Sequence, residues 1–354
     1  MGKKTNKPGK NSILVIRLSA MGDVAMTIPV LLALSERYPD VEITVLSKAF
    51  LAPLFKQLSQ VKFFAAEVKG KHSGVGGLYR LFLELKKNNF NAIADLHGVI
   101  RSHVLSGFFR TIGTKVAKID KGRKEKKALI RSKNKSLKPL KTTHQRYTEV
   151  FKRLGYALDA ESNSFLKKEE INTELHQKLP FIDRKLIGLA PFAAHDGKKY
   201  PLALVGQVIE VLANNDNYAV VLFGGGTLEV EQLKCLEKKY PNTYSIAGKY
   251  SFAEELSIIS NLEVMISMDS GNGHLAAAYG IPVVTVWGVT HPYLGFTPYN
   301  QPEENQITAD RKEFPLIPTS VYGNKMPNGY ENVMATIPPK KITDRVNKIL
   351  NLAG

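Results

Sequence analysis

The chain has 354 residues with 44% hydrophobic and 9% aromatic content, which excludes an intrinsically disordered protein and predicts two domains, because one core rarely grows this large. Its single cysteine, Cys235, excludes an intramolecular disulfide and a cysteine-rich metal site. The formal net charge of +17 favours an anionic partner.

The positive charge is concentrated in two segments. Thirteen Lys and Arg accompany only two acidic residues between Gly113 and Arg146, and the first ten residues, MGKKTNKPGK, hold four more lysines. Such segments are typical of contact with nucleic acid, acidic lipid or a phosphorylated substrate. The alternative is a solvated loop that only keeps the protein soluble.

In the first half of the chain, short apolar runs alternate with helical periodicity, which predicts a parallel, doubly wound sheet. The basic segment interrupts this alternation, and a helix then follows it. The predicted strands lie at 12–18, 41–46, 61–65 and 91–95, and the predicted helices at 24–38, 49–58, 78–87, 99–109 and 143–154.

After a polar stretch without clear period at 155–180, the same alternation returns in the second half. The predicted strands lie at 186–190, 218–223, 244–247, 262–268 and 283–287, and the predicted helices at 201–213, 228–239, 252–260, 274–279 and 340–352.

Two such alternations predict an α/β fold with two Rossmann-like, doubly wound domains that face a central cleft lined by the carboxyl ends of the strands. We place the N-terminal domain at 1–160, including the basic segment 113–146, and the linker at 161–185. The C-terminal domain follows at 186–340, with a closing helix at 340–354.

No apolar run approaches the ~20 residues that span a bilayer, and the basic start is not followed by the apolar core of a signal peptide. We therefore expect a cytoplasmic protein.

One segment, NLEVMISMDSGNGHLAAAYGIPVVTVWG at 261–288, predicts a buried strand, a glycine-containing turn at 269–273, a small-residue helix and a second strand. A helix that begins directly after a strand directs its free N–H groups and its positive dipole end at one point, which suits a phosphate or diphosphate. Asp269 and His274 add side chains there. Alternatively, Asp269 and Ser270 only cap the helix.

Two further loops carry candidate chemistry. Asp23 follows the first strand, where a carboxylate could take a proton from an acceptor hydroxyl, although it could also simply cap a helix. Lys198 and Lys199 follow the first strand of the second half and could reach a phosphate, or remain a solvated pair. The glycine-rich turn Phe223-Gly224-Gly225-Gly226-Thr227 is only a weak indication of a nucleotide-binding site. The eight histidines show no spacing typical of metal ligands.

Five segments in order resemble glycosyltransferase family 9, the ADP-heptose:lipopolysaccharide heptosyltransferases. The resemblance spans roughly residues 12–300 and implies a GT-B fold whose first domain mainly holds the acceptor and whose second mainly holds a nucleotide sugar. The segments are ILVIRLSAMGDVAMTIPVLLAL, DLHGVIRS, HQRYTEVFKRLGY, KKYP and MDSGNGHLAAAYGIPVVTVWGVTHP.

The resemblance implies that Asp23 is the catalytic base and that Lys198 contacts the donor phosphate. In relatives, a glutamate after the glycine turn commonly contacts the ribose; Glu229 is our choice for this role, and Glu231 is the alternative. We assign Arg17, Ser19 and Arg101 to the acceptor. The remaining donor residues lie in the segment after the 262–268 strand and are Asp269, Ser270, Gly271, Gly273 and His274.

The resemblance thus implies an inverting glycosyltransferase that moves a heptose from ADP-heptose to the inner core of lipopolysaccharide, without a cofactor or an obligatory metal. Residues 113–146 would hold the anionic acceptor or the inner face of the inner membrane as a peripheral contact. One alternative is a glycosyltransferase of the same fold with another nucleotide sugar. A non-catalytic nucleic-acid-binding protein is less favoured, since 113–146 has no aromatic residue for base stacking.

Overall fold

The structure, a computed structural model, describes residues 11–133, 135, 137–159 and 163–352. The basic decapeptide MGKKTNKPGK lies outside the described residues. The chain divides into two compact units. Of the described residues, the first contains those up to Lys121 and those from His144 to Ser164, and the second contains those from Gly122 to Thr143 and those from Phe165 onward.

The first unit is built on a parallel sheet that has five strands within its described residues, in the order β3-β2-β1-β4-β5. The central strand β1 is entirely buried, because helices cover both faces of a parallel sheet; this explains its nearly continuous apolar sequence SILVI. The strands are β1 (Ser12–Ile16), β2 (Glu42–Ser47), β3 (Val61–Ala65), β4 (Ala92–Asp95) and β5 (Lys115–Lys118).

The second unit repeats this architecture with six parallel strands in its described part, in the order β11-β10-β9-β6-β7-β8. Counted from β6, this is the strand order of a Rossmann fold. The strands are β6 (Lys185–Ala190), β7 (Tyr218–Leu222), β8 (Thr243–Ser245), β9 (Leu262–Met268), β10 (Val283–Trp287) and β11 (Gln306–Thr308).

Helices connect successive strands in both units, so the prediction of an α/β fold with two doubly wound parallel sheets is confirmed. The helices are α1 (Met21–Ala25), α2 (Ile28–Arg37), α3 (Gly74–Lys86), α4 (Ile100–Thr111), α5 (Arg123–Leu129), α6 (Thr143–Leu154), α7 (Thr173–Lys178), α8 (Leu202–Ala213), α9 (Thr227–Lys239), α10 (Phe252–Ile259), α11 (Gly271–Ala278) and α12 (Pro339–Leu352).

The predicted helix at 24–38 is in fact two helices. The first, α1, ends at Ala25, and α2 begins at Ile28 with Pro29 in its first turn. Proline is tolerated there because the first turn needs no intrahelical N–H donor, whereas deeper in one continuous helix it would remove a hydrogen bond. The predicted helix at 49–58 is a 3-10 helix, Ala49–Phe55, which contains Pro53.

The basic segment 113–146 contains regular structure that the sequence pattern did not predict. It includes the edge strand β5 and the short helix α5. Its residues 122–143 cluster with the second unit, where the Nζ atom of Lys126 lies 3.7 Å from the centre of the Phe296 ring.

Two more segments differ from prediction. The helix predicted at 274–279 begins three residues earlier, at Gly271, directly after the turn that follows β9. The polar stretch 155–180 contains α7, whose first turn is capped by the Asn172 side chain. In the part of the chain that the structure describes, no helix has the length and apolar character needed to cross a membrane.

Helix α6 supports the short helix α1, which follows β1. Tyr147 of α6 is completely buried, and its hydroxyl donates a hydrogen bond to the backbone carbonyl of Asp23 at 3.1 Å. Burial raises the pKa of the Tyr147 hydroxyl well above its usual value, so this hydroxyl remains a donor.

We predict that Tyr147→Phe lowers the free energy of unfolding by about 1 kcal/mol, because it removes one buried hydrogen bond but keeps the ring. The matched control, Tyr322→Phe, removes a hydroxyl from an exposed tyrosine and should leave stability unchanged. Urea unfolding followed by circular dichroism measures the unfolding midpoint of both variants. Equal midpoints for the two variants would contradict the prediction.

Candidate active site

In the first unit, a buried arginine holds the candidate catalytic carboxylate. Arg17, at the end of β1, is only 5% exposed, and its Nη2 atom lies 2.5 Å from Oδ2 of Asp23 in α1. The backbone N–H of Ala20 donates to the same oxygen at 3.1 Å. The other oxygen, Oδ1, makes no hydrogen bond with the described residues, and the side chain is 30% exposed. Asp23 therefore has one fixed and one available oxygen.

The loop after β4 completes this arrangement, because β4 pairs with β1 in the sheet. Arg17 Nη1 donates to the carbonyl of Leu96 at 2.8 Å. Asp95 fixes the loop: its buried carboxylate accepts the backbone N–H groups of His97 and Gly98 at 3.0 and 2.9 Å and the Ser102 hydroxyl at 3.0 Å. Arg17 thus connects the two loops at the point where the strand order reverses.

His97 lies in the same group. Burial, together with the charges of Arg17 and Lys121, lowers the pKa of its imidazole to about 4, so the ring is neutral at neutral pH. Its buried Nδ1 atom makes no hydrogen bond within the described residues. A neutral ring near Asp23 can bind a hydroxyl without adding charge.

The three residues assigned to the acceptor occupy this edge of the sheet but differ in exposure. Arg17 is buried and contacts Asp23 directly. Ser19 is half-buried in the loop between them, and Arg101 is exposed in the first turn of α4, after the β4 loop.

In the second unit, the loops after β6, β9 and β10 meet at one buried ion pair. Lys198 Nζ donates to the backbone carbonyl of Asp269 at 2.6 Å and to its Oδ2 at 3.3 Å. The Thr290 hydroxyl donates to the same Oδ2 at 2.9 Å. The side chains of Lys198 and Asp269 are only 12% and 9% exposed. Sequence patterns alone placed Lys198 and Asp269 on separate loops, and the structure brings them into contact.

The aliphatic part of the Lys198 side chain is also closely packed. Residue 323 has a positive φ of 85°, and a Cβ atom there would lie 2.5 Å from Cγ of Lys198. Glycine is therefore needed at 323, both for its backbone conformation and for close packing on the lysine. The ammonium group keeps one N–H without a partner among the described residues, which can donate to a bound anion.

Helix α11 begins beside this ion pair. Ser270 is its N-cap residue, and Gly271 and Gly273 lie in its first turn, where the backbone N–H groups have no partner within the helix. Gly273 packs against Ser267 of β9, since a Cβ atom there would lie 3.1 Å from the serine hydroxyl. His274 follows and is buried. The start of α11 is therefore suited to an anion.

A pocket of about 410 Å³ lies between the loops after β6 and β7, which is within the usual size of a small-ligand site. Gly224 lies beside it, and a Cβ atom there would lie 2.8 Å from Leu233. The pocket walls combine aromatic or aliphatic surfaces with a few polar groups, and the lining residues are Phe192, Lys199, Tyr200, Leu202, Gly225, Gly226, Thr227, Leu228, Glu229 and Gln232.

The pocket distinguishes the two candidate glutamates by position. Glu229 lines it and is fixed there by the backbone N–H of Gly225, which donates to Oε2 at 2.9 Å. Glu231 is exposed and does not line the pocket.

Several participants escaped sequence reasoning. Thr290 and the carbonyl of Leu96 contact the key side chains. Both lie inside segments that resemble the family, MDSGNGHLAAAYGIPVVTVWGVTHP and DLHGVIRS, but neither was given a role. Their position was a further signal, because each follows a strand that neighbours the strand of a candidate residue. Across residues 11–133, 135, 137–159 and 163–352, no three or more His, Cys, Asp or Glu side chains are grouped to hold a metal ion.

The model of one protein family matches residues 78–325, more than half of the chain. Its description is glycosyltransferase family 9 (heptosyltransferase). Among curated proteins, the chain is 25% identical to lipopolysaccharide heptosyltransferase 1 of Campylobacter coli, over 79% of this chain and 85% of that one. It is also 25% identical to lipooligosaccharide heptosyltransferase 2 of Haemophilus influenzae, over 96% and 99% of the two chains.

Solved structures show the same fold. A glycosyl transferase family 9 protein from Veillonella parvula superposes with a TM-score of 0.73 at 20% identity, covering 97% of this chain and 98% of that one. The E. coli heptosyltransferase WaaC with ADP superposes with a TM-score of 0.67 at 18% identity, covering 96% and 99%. The chain therefore belongs to glycosyltransferase family 9, the heptosyltransferase family, and is a glycosyltransferase with the GT-B fold.

Proposed function

We propose that the protein transfers a heptose from ADP-heptose to the inner core of lipopolysaccharide, with inversion at the anomeric carbon. The observation that carries the proposal is the Lys198–Asp269–Thr290 group at the start of α11, in the same unit as the 410 Å³ pocket. Relatives named for heptose transfer to lipopolysaccharide or lipooligosaccharide support the choice of sugar and acceptor. The WaaC structure with ADP supports the choice of nucleotide.

The donor would bind in two parts. The adenosine occupies the pocket, where Glu229 can accept hydrogen bonds from the ribose hydroxyls. The diphosphate lies against the first-turn N–H groups of α11 and the remaining N–H of Lys198. Charge that develops on the departing diphosphate is stabilised by the same groups, without an obligatory metal.

The acceptor reaction would use Asp23. Its Oδ1 takes the proton from the acceptor hydroxyl while that oxygen attacks the anomeric carbon from the side opposite the leaving diphosphate, which inverts the configuration. Arg17 and the N–H of Ala20 hold Oδ2 and so orient Oδ1. Arg17, Ser19 and Arg101 are assigned to binding of the acceptor, and residues 113–146 to contact with its anionic groups or with an anionic membrane surface.

The donor prediction is tested by thermal unfolding with a panel of ADP-, GDP- and UDP-sugars. A ligand that binds only the folded state raises the melting temperature, so we expect the largest rise with ADP-heptose. Mass spectrometry of the product should show one added heptose on the lipopolysaccharide core, and the anomeric NMR coupling should show inversion. A larger rise with a GDP- or UDP-sugar, and transfer from it, would assign the protein to another donor.

We predict that Asp23→Asn lowers kcat by about 10²–10⁴-fold, the usual contribution of general base catalysis, while the affinity for ADP stays unchanged. Asp40→Asn, which neutralises an exposed carboxylate in the same unit, is the control and should keep full activity. A kcat of Asp23→Asn within threefold of the unchanged protein, with equal ADP binding, would remove Asp23 from the role of base.

We predict that Lys198→Met weakens ADP binding by roughly 10- to 100-fold, because a charge-assisted hydrogen bond to the diphosphate is lost. Binding of adenosine, which has no phosphate, should change little. Lys238→Met removes a charge from α9 outside the pocket and serves as the control. Isothermal titration calorimetry with ADP and with adenosine measures the two affinities. An equal loss of affinity for both ligands would contradict a contact between Lys198 and the diphosphate.

A further inference from the structure

Two basic side chains in the second unit converge on one short stretch of backbone. Lys135, from the basic segment, donates from Nζ to the carbonyls of Leu316 and Pro318, the latter at 2.8 Å. Arg311 donates from Nε to the carbonyl of Ile317 at 3.2 Å. The two cations therefore lie side by side along 316–318.

His291 belongs to the same group, because the backbone N–H of Thr319 donates to the carbonyl of Val289 at 2.9 Å and so holds the loop 289–291 beside 316–318. The charges of Lys135 and Arg311 both act on its imidazole. Its Nδ1 atom accepts the backbone N–H of Tyr293 at 3.2 Å, so the proton of the neutral ring is on Nε2, which becomes a donor. His291 follows Thr290 directly, and Thr290 holds Asp269. The group is thus adjacent to the proposed donor site within one unit.

Donor capacity remains on all three side chains. Arg311 uses only Nε, so its two Nη groups make no hydrogen bond with the described residues, and Lys135 retains one N–H. Nε2 of His291 likewise makes no hydrogen bond there. Together they offer a guanidinium fork, an ammonium and an imidazole N–H, a donor set that matches an oxyanion.

The charges in this group are not neutralised. Within the part of the chain that is described, no carboxylate forms an ion pair with Lys135 or Arg311. Burial, and then the charge of Arg311, lowers the pKa of Lys135 to about 8. Burial, and then the charges of Arg311 and Lys135, lowers the pKa of His291 to about 4. Like charges held together destabilise one another, and a bound anion would relieve this repulsion.

We propose that Lys135, Arg311 and His291 form an oxyanion subsite that binds a phosphate or carboxylate group of the saccharide acceptor. The identity of the ligand rests on the proposed function, whereas the presence of an oxyanion site does not. The subsite gives one lysine of the basic segment a specific task beside the donor site. The competing explanation is that Lys135 and Arg311 only stabilise the 316–318 backbone through their hydrogen bonds to its carbonyls.

Oxyanion binding is tested first with inorganic phosphate, in the presence of saturating ADP so that the diphosphate site is filled. Apparent affinity comes from the phosphate-dependent rise in melting temperature, each variant being compared with its own phosphate-free value. Lys135→Met should bind phosphate about tenfold more weakly, as expected for a lost charge-assisted hydrogen bond. Lys348→Met removes an exposed lysine of α12 in the same unit, outside the basic segment, and should bind phosphate normally.

His291→Asn provides a second variant in case Lys135→Met is poorly folded. Asparagine can still accept the Tyr293 N–H but lacks the Nε2 donor, so phosphate affinity should fall while the fold is kept. Equal phosphate affinity in Lys135→Met, His291→Asn and Lys348→Met would overturn the proposal and leave Lys135 and Arg311 only a structural role. Equal weakening in Lys135→Met and Lys348→Met would also overturn it, because binding would then follow overall charge.

The source of the oxyanion is tested with three lipopolysaccharide acceptors: unmodified, dephosphorylated and carboxyl-reduced. Lys135→Met should raise KM about tenfold for the unmodified acceptor, and this difference should vanish for the form that lacks the bound group. An undiminished difference with both modified forms would overturn acceptor binding. If ADP-heptose transfer itself fails while Lys135-dependent phosphate binding persists, the proposed function is wrong and the oxyanion site stands.

Discussion

All strands of each sheet run parallel, and this constraint determines where chemistry can occur in each unit. Parallel strands place every strand-to-helix loop at one edge of the sheet, and the reversal of strand order opens that edge to a ligand. In the first unit the reversal lies between β1 and β4, and in the second between β6 and β9. Every candidate site residue follows one of these strands or an adjacent one. The two sites thus have a common architectural origin.

Each unit uses that edge to bury a cation against a carboxylate, but with different results. Arg17 and the Ala20 N–H fix one oxygen of Asp23 while the side chain stays 30% exposed, which suits proton transfer. Asp269 is 9% exposed and receives both Lys198 and Thr290. Breaking either ion pair would leave a buried charge unpaired, so both positions tolerate little change. The same kind of ion pair therefore leaves an accessible carboxylate oxygen in one unit, where we propose the base, and a buried pair in the other, beside the proposed diphosphate site.

Hydrophobic periodicity predicted most of the fold because buried parallel strands are nearly continuous apolar runs. β3, β9 and β10 have the predicted bounds. Strand β5, with the sequence KVAK, was not predicted, because an edge strand is only partly buried and so lacks a continuous apolar run. Its stability comes from pairing with β4, and the local sequence does not indicate that pairing. The same reason applies to the site. Motifs assigned roles to Asp23, Lys198 and Asp269. Thr290 and Leu96 lie inside two of the same segments, but their contacts with these side chains depend on sheet order, which brings together loops that are distant in sequence.

Net charge is a poor measure of how much of the basic segment is available to a partner. The segment 113–146 is divided between the two units, and part of its charge supports the fold. Lys126 is 6% exposed and lies over the Phe296 ring, a packing role in which its charge interacts with an aromatic face. Lys135 is partly buried against backbone carbonyls. An anionic partner would therefore contact a few cations that the fold holds in place, such as Lys135, together with exposed lysines such as Lys138. Specificity would come from the cations held in place, since exposed charges are screened by salt.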